Sequence, residues 1–306
     1  MLQEIMANVL RLHALVIQRT DDRLRGYLLM HSPVLMTLIL LTYVFLSVYA
    51  GPRFMANRKP LDLKAPMVVY NFSMVVMNGY IVHQFLVWGW GTTYSWRCDL
   101  CDFSSSTQAL GMVRASWIFY ISKYIELLDT LFFVLRKKQS QITFLHVFHH
   151  SFMPWTWWWG ITLTPVAGMG NFHSMINAGV HVIMYFYYGL SSAGPRFQKY
   201  LWWKKYLTAV QLIQFIMVSV HISQYYFMKD CDYQVPLWIL LIWMYGTLFF
   251  FLFAHFWVQA YIKGKRLPVA HPKENGVAPA TVKELENGTA PYLSNGKVLV
   301  NKVKEI

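Results

Sequence analysis

The chain has 306 residues and is 56% hydrophobic, 17% aromatic and only 13% charged, about half the charged share of a soluble domain. With a mean hydropathy of +0.34, that balance excludes an ordinary soluble enzyme. The net charge of +13 would suit a nucleic-acid binder. The basic residues instead collect in short loops between apolar runs, which is a topology signal, so the expected surroundings are a lipid bilayer, with no nucleic-acid partner.

Residues 1–31 carry Glu4, Arg11, Arg19, Asp21, Asp22, Arg23 and Arg25 without a clean apolar core, so no cleavable signal peptide is expected. The segment reads as an amphipathic helix near the membrane surface. Apolar runs follow at about 32–50, 66–90, 112–135, 142–164, 171–190, 206–227 and 235–262, each near the roughly 20 residues that cross a bilayer. The predicted fold is therefore an all-α membrane protein with seven transmembrane helices over 32–263.

The connections alternate in charge. Loop 51–65 holds Arg53, Arg58, Lys59 and Lys64; loop 136–141 holds Arg136, Lys137 and Lys138; loop 191–205 holds Arg196, Lys199, Lys204 and Lys205; the tail opens with Lys263, Lys265 and Arg266. Loops 91–111, 165–170 and 228–234 hold only Arg97 and Lys229. The positive-inside rule puts the first group and the C-terminus in the cytosol and the N-terminus on the lumenal side. Cys98, Cys101 and Cys231 then all face the oxidising side, and Cys231 is expected to pair with Cys98 or Cys101.

From about 264 the chain is polar and reads as disordered. Asn287-Gly-Thr is a formal glycosylation acceptor that this topology leaves bare in the cytosol. Lys302 and Lys304, fifth and third from the end, match a dilysine-type retrieval signal for the endoplasmic reticulum.

Polar residues inside the spans carry the chemistry. The fourth run holds His146, His149 and His150, which share one face of a helix and are costly to bury without a purpose. The third run holds Lys123, Glu126, Asp129 and Thr130. Ionisable side chains spaced in threes inside one membrane helix face a cavity or each other. A self-neutralising structural cluster is the alternative for Lys123 and Asp129. The fifth run carries His173, Asn177, His181 and Tyr185, one stripe at intervals of four, and the sixth carries Gln211, Gln214 and His221. On the expected topology His146–His150, Glu126, Asp129, Tyr185, Tyr188, Thr208, Gln211 and Gln214 gather in the cytosolic half of the bundle, while His173 lies at its outer end. A polar chamber continued by an apolar tunnel suits an amphiphile with a charged head and a long chain, and the basic loops suit an anionic head such as a nucleotide phosphate.

Four blocks in this order, Lys123-x-x-Glu126-x-x-Asp129-Thr130, His146-x-x-His149-His150, His181-x-x-Met184-Tyr185 and Thr208-x-x-Gln211-x-x-Gln214, resemble the ELO family, the elongases of very-long-chain fatty acids. Phe148 inside the His block resembles the branch acting on saturated and monounsaturated chains. The resemblance implies a 3-ketoacyl-CoA synthase of the endoplasmic reticulum membrane, whose seven helices place six around a tunnel that opens to the cytosol. Its implied substrates are long-chain acyl-CoA and malonyl-CoA, with no further cofactor and no metal. The reductases and dehydratase of the elongation cycle are the implied partners, and the sequence also allows a homo-oligomer.

Soluble condensing enzymes use a cysteine nucleophile, but no cysteine of this chain lies in a span or on the cytosolic side. A neutral imidazole attacks a thioester, and the acyl-imidazole stays reactive. His150 is the expected nucleophile, with His149 as the alternative. His149 or His146 would tune it, held by Glu126 or Asp129. His181, with Asn177, would stabilise the enolate or the oxyanion. Gln211 and Gln214 would bind the thioester or the CoA arm, in a substrate site that also takes in Lys123, Glu126, Asp129 and Tyr185.

Two rival readings keep their place. A membrane di-iron desaturase or hydroxylase also uses His-x-x-His-His, but needs several paired boxes. Here the other histidines, His13, His31, His83, His221, His255 and His271, are scattered. A transporter would carry its polar path on to the outer side, where these stripes thin out.

Overall fold

The computed structural model describes residues 20–263, scattered positions before them, and two short strands in the tail. The strands, Tyr292–Ser294 and Lys297–Leu299, pair antiparallel. The rest of the tail expected to be disordered, with Asn287 and the dilysine signal, lies outside the described residues, as does most of 1–19.

Local signals set the helix starts. Ser32 accepts from Val34 N at 3.2 Å and Pro33 takes the first helical position, where a missing amide proton costs nothing. From there α1, Pro33–Phe45, passes through a π-helical turn at Leu46–Ala50 into a last turn at Gly51–Met55. Helix α2 is Lys64–Phe85 and runs on as a π-turn to Trp90. Ser106 caps α3, Thr107–Ile125, by accepting from Ala109 N. Helices α4 (Leu128–Leu135), α5 (Phe144–Leu163), α6 (Phe172–Ala193), α7 (Lys204–Ser223) and α8 (Pro236–Trp257) complete the bundle. Four of these runs, Pro33–Met55, Lys64–Trp90, Lys204–Phe227 and Pro236–Ile262, are long and apolar enough to cross a membrane.

The third expected run, 112–135, is two helices. The chain breaks at Glu126 and Leu127, where Leu127 N bonds the carbonyl of Tyr124 and Asp129 N that of Glu126, one residue nearer than an α-helix requires. No glycine or proline marks this break. It falls where the Glu126 side chain is drawn into a buried ion pair.

Neighbours pack in a closed order. Helix α2 lies against α6 as the largest contact, α6 against α7, α7 against α8, α8 narrowly against α5, α5 against α3, and α3 back against α2. Helix α1 stands outside this ring against α5. Inside, Phe85, Trp90, Phe119, Tyr120, Met153 and Trp158 form one buried cluster. Within a bilayer such side chains stabilise the bundle by close van der Waals packing and not by leaving water.

From Thr20 onward the opening segment departs from the expected surface helix. It makes one 3₁₀ turn, Asp22–Leu24, and inserts into the bundle end opposite the three-histidine turn, with Leu24 and Met30 buried in the main core. Indoles serve its carbonyls: Trp117 Nε1 donates to Leu28 O at 3.1 Å and Trp158 Nε1 to Leu29 O at 2.9 Å. The same end is tied by a disulfide between Cys98 and Cys231, two residues 133 apart in sequence. Cys231 therefore pairs with Cys98, and Cys101 is a buried free thiol. Gln234 receives Cys101 N at 2.9 Å, and Tyr233 OH donates to Ala167 O at 2.6 Å. Gly168, at φ +52°, lets the loop pass so close to the carbonyls of Asp99 and Leu100 that any side chain there would collide with them.

Candidate active site

Helix α5 starts with Thr143, whose Oγ1 accepts from His146 N at 3.2 Å, so the cap itself fixes the first histidine. One turn of this helix carries all three imidazoles. The His146 and His150 ring centroids are 4.3 Å apart, and those of His149 and His150 5.4 Å. All three rings are half-buried. Four residues past His150, Pro154 has no amide proton to give the His150 carbonyl.

A second group is closed to solvent. Lys123 Nζ donates to Glu126 Oε1 at 2.7 Å and to Asn177 Oδ1 at 3.0 Å, and lies over the Phe119 face. His181 Nδ1 stands 3.0 Å from the same Glu126 oxygen. Lys123, Glu126, Asn177 and His181 are each at most 6% exposed. The carboxylate is an acceptor, so the His181 proton sits on Nδ1, and Nε2 of the neutral ring is left with its lone pair. Glu126 balances Lys123, and the cluster carries no net charge while His181 is neutral. Burying such a pair is not itself a source of stability; the aromatic core around it supplies that.

Between the groups, Tyr185 OH donates to Asp129 Oδ2 at 2.7 Å, and the Tyr185 ring lies 5.8 Å from that of His181. Thr130, next to Asp129, bonds His146 Nε2 at 2.7 Å. The expected hold of Glu126 or Asp129 on the three-histidine turn is thus placed differently. Among the described residues Glu126 bonds His181, Asp129 bonds Tyr185, and the hydroxyl of Thr130 takes His146. The reason is the break after Ile125, across which the i, i+3 spacing no longer describes one helix face.

Helix α7 brings Gln211 Nε2 to 3.6 Å from Met184 Sδ, one residue from Tyr185. Gln214 is buried, and among the described residues its Oε1 has no hydrogen-bond partner. Neither glutamine bonds an imidazole directly among the described residues. Two participants escaped the sequence reading. Tyr43 of α1 has its OH 2.8 Å from Thr130 Oγ1. The Tyr70 ring meets Tyr185 edge-on at 6.0 Å, and its OH donates to Ile125 O at the helix break. Tyr43 left a faint signal, as the lone phenol in the apolar run from Pro33 to Leu46. Among the described residues no three His, Cys, Asp or Glu side chains converge as a metal cluster.

Residues 28–268 match the model of the ELO family, described as the GNS1/SUR4 family. The chain belongs to the ELO family. It is 59% identical to mouse very long chain fatty acid elongase 1 over 92% of this chain and all of that protein. It is 51% identical to rat very long chain fatty acid elongase 7 over 89% of this chain and 96% of that protein. Identity to human very long chain fatty acid elongase 4 is 37%, over 90% of this chain and 86% of that one. Within the ELO family chain, the three-histidine turn, the Lys123–Glu126–His181 cluster and the Asp129–Tyr185 pair are the elements from which a function must be built.

Proposed function

We propose that this chain is a very-long-chain 3-ketoacyl-CoA synthase, a multi-pass protein of the endoplasmic reticulum that condenses long-chain acyl-CoA with malonyl-CoA. The observation that carries the reading is the pairing of a half-open three-imidazole turn with a closed, charge-balanced Lys123–Glu126–His181 cluster. The names of its relatives point the same way.

The seven helical runs would all cross the membrane, with the N-terminus in the lumen and the C-terminus in the cytosol. Lys137 Nζ donates to the carbonyls of Ala56 and Arg58, which brings the basic loops 51–65 and 136–141 together just before the His turn and suits the phosphates of a CoA head. Toward the other end of the bundle lies an apolar cavity lined by Met153, Trp157, Ile161, His173, Leu241 and Tyr245, which suits the far part of an acyl chain. In this reading a tunnel would join the two.

In the proposed reaction a lone pair of neutral His150 attacks the thioester carbonyl. The carbon–sulfur bond breaks, CoA leaves as its thiol after taking up the imidazole proton, and an acyl-imidazole remains. Malonyl-CoA then loses CO₂, its enolate carbon attacks the acyl carbonyl, the carbon–nitrogen bond to His150 breaks, and the released ring nitrogen takes up one proton from water. The product is a 3-oxoacyl-CoA two carbons longer. His181 Nε2 takes up a proton from water, donates to the enolate oxygen and gives that proton back to water as the product leaves, while Glu126 holds its Nδ1 and Lys123, which also donates to Asn177 Oδ1, balances the Glu126 charge. Reductases and a dehydratase consume the product.

The test is a condensation assay with purified protein, a saturated long-chain acyl-CoA and isotope-labelled malonyl-CoA. The expected product carries two labelled carbons, with labelled CO₂ released in equal amount. Turnover of acyl-CoA that leaves malonyl-CoA intact would contradict the reading.

A further inference from the structure

Helix α1 stands outside the ring of six, yet it sends one hydroxyl toward the three-histidine turn. Tyr43, 8% exposed, places its OH 2.8 Å from Oγ1 of the fully buried Thr130. That same oxygen lies 2.7 Å from His146 Nε2. Three elements, α1, α4 and α5, meet in this chain of bonds. We infer that Tyr43 and Thr130 are positioning residues for the three-histidine turn: they fix the tautomer and ring plane of His146, and through it the plane of His150. This rests on the reading that His150 is the acylated residue.

Proton count fixes the order of donors. A threonine hydroxyl carries one proton, so its two bonds run in one direction. A phenol is the better donor, and the cooperative order places Tyr43 as donor to Thr130 and Thr130 as donor to Nε2. His146 is then neutral with its proton on Nδ1. Its ring is also held by the Phe133 ring at 5.3 Å and the His150 ring at 4.3 Å, and its backbone amide by Thr143. The His150 ring is packed against the rings of His146 at 4.3 Å and His149 at 5.4 Å. Its plane is set by the rings beside it, so whatever fixes His146 fixes the attacking lone pair. Misplacing a reacting atom by about 1 Å costs on the order of 100-fold in rate.

Two experiments decide it. The first does not depend on the reaction. Nitrogen-15 spectra of histidine-labelled protein are expected to show a pyridine-type Nε2 and a protonated Nδ1 at His146, assigned by loss of the signals in His146→Gln. Mixed tautomers are expected in Thr130→Val. A protonated Nε2 in the unsubstituted protein would overturn the inference. The second is kinetic. Thr130→Val should lower kcat by about 10- to 100-fold while KM for acyl-CoA stays within about twofold. Thr130→Ser, which keeps the hydroxyl, should retain most of kcat. Tyr43→Phe should fall in the same direction, and the double variant no further than Thr130→Val alone. A Thr130→Ser loss as deep as that of Thr130→Val, or an unchanged kcat in Thr130→Val, would refute positioning. Absence of 3-oxoacyl-CoA from the unsubstituted protein would sink the functional reading instead, and the spectra would still decide the positioning.

Discussion

Glu126 joins His181 and not the three-histidine turn: its Oε1 lies 3.0 Å from Nδ1 of His181 and 2.7 Å from Nζ of Lys123. One carboxylate oxygen thus serves a cation and an imidazole at once, both in full burial. Glu126→Gln would leave Lys123 as an unpaired buried charge, which costs about 3–5 kcal/mol. Thermal unfolding in detergent should show a loss of that order. Combining it with Lys123→Met should recover most of the stability without recovering condensation, because His181 still lacks its carboxylate. Equal stability of Glu126→Gln and the unsubstituted protein would show that the pair is not closed as described.

Tyr185→Phe removes the donor to Asp129 Oδ2, now 2.7 Å away. Losing one side of a buried hydrogen bond costs about 1–3 kcal/mol. We expect a fall in unfolding temperature and in condensation rate together, because Asp129 precedes Thr130 and the Tyr185 ring lies beside His181. Tyr185→Phe with both quantities unchanged would remove this tyrosine from the site.

The disulfide closes a loop of 133 residues, for which chain entropy alone stabilises by about 4–5 kcal/mol. Cys98→Ser and Cys231→Ser should lower the unfolding temperature alike, and Cys101→Ser far less. A larger loss in Cys101→Ser would mean that the pairing is with Cys101.

Burial pushes the Cys101 thiol above its ordinary range, because the thiolate is the form that burial disfavours. Only the thiolate is alkylated, so labelling of the folded protein should be slow at about pH 8 and accelerate as pH rises. Of three cysteines two are paired, so denaturation without reductant should expose one thiol. Rapid labelling of the folded protein at that pH would place Cys101 at the surface.

The helices and the residue types of the site were legible because apolar runs and i, i+3, i+4 spacings are local properties. The start of α5 and the grouping of His146, His149 and His150 followed directly from them. The break at Glu126–Leu127 was not legible, since no glycine or proline marks it and the polar spacing continues across it. Which carboxylate meets which imidazole depends on that break. The Tyr43–Thr130 bond spans 87 residues, and nothing local announces it. Choosing Cys98 over Cys101, three residues apart, depends on how loop 91–106 lies against Gln234 and Tyr233. The insertion of Leu24 and Met30 was masked by the charges around them, which Asp21 and the carbonyls of Asp102 and Ser104 absorb through Arg23.

The most direct measurement incubates the purified protein with a long-chain acyl-CoA and no malonyl-CoA, and follows CoA release and intact protein mass. The account predicts one equivalent of CoA, a mass gain equal to the acyl group, and loss of both in His150→Ala. CoA that stays bound as thioester until malonyl-CoA arrives would contradict it, and would leave the histidines as bases and hydrogen-bond donors in a ternary complex.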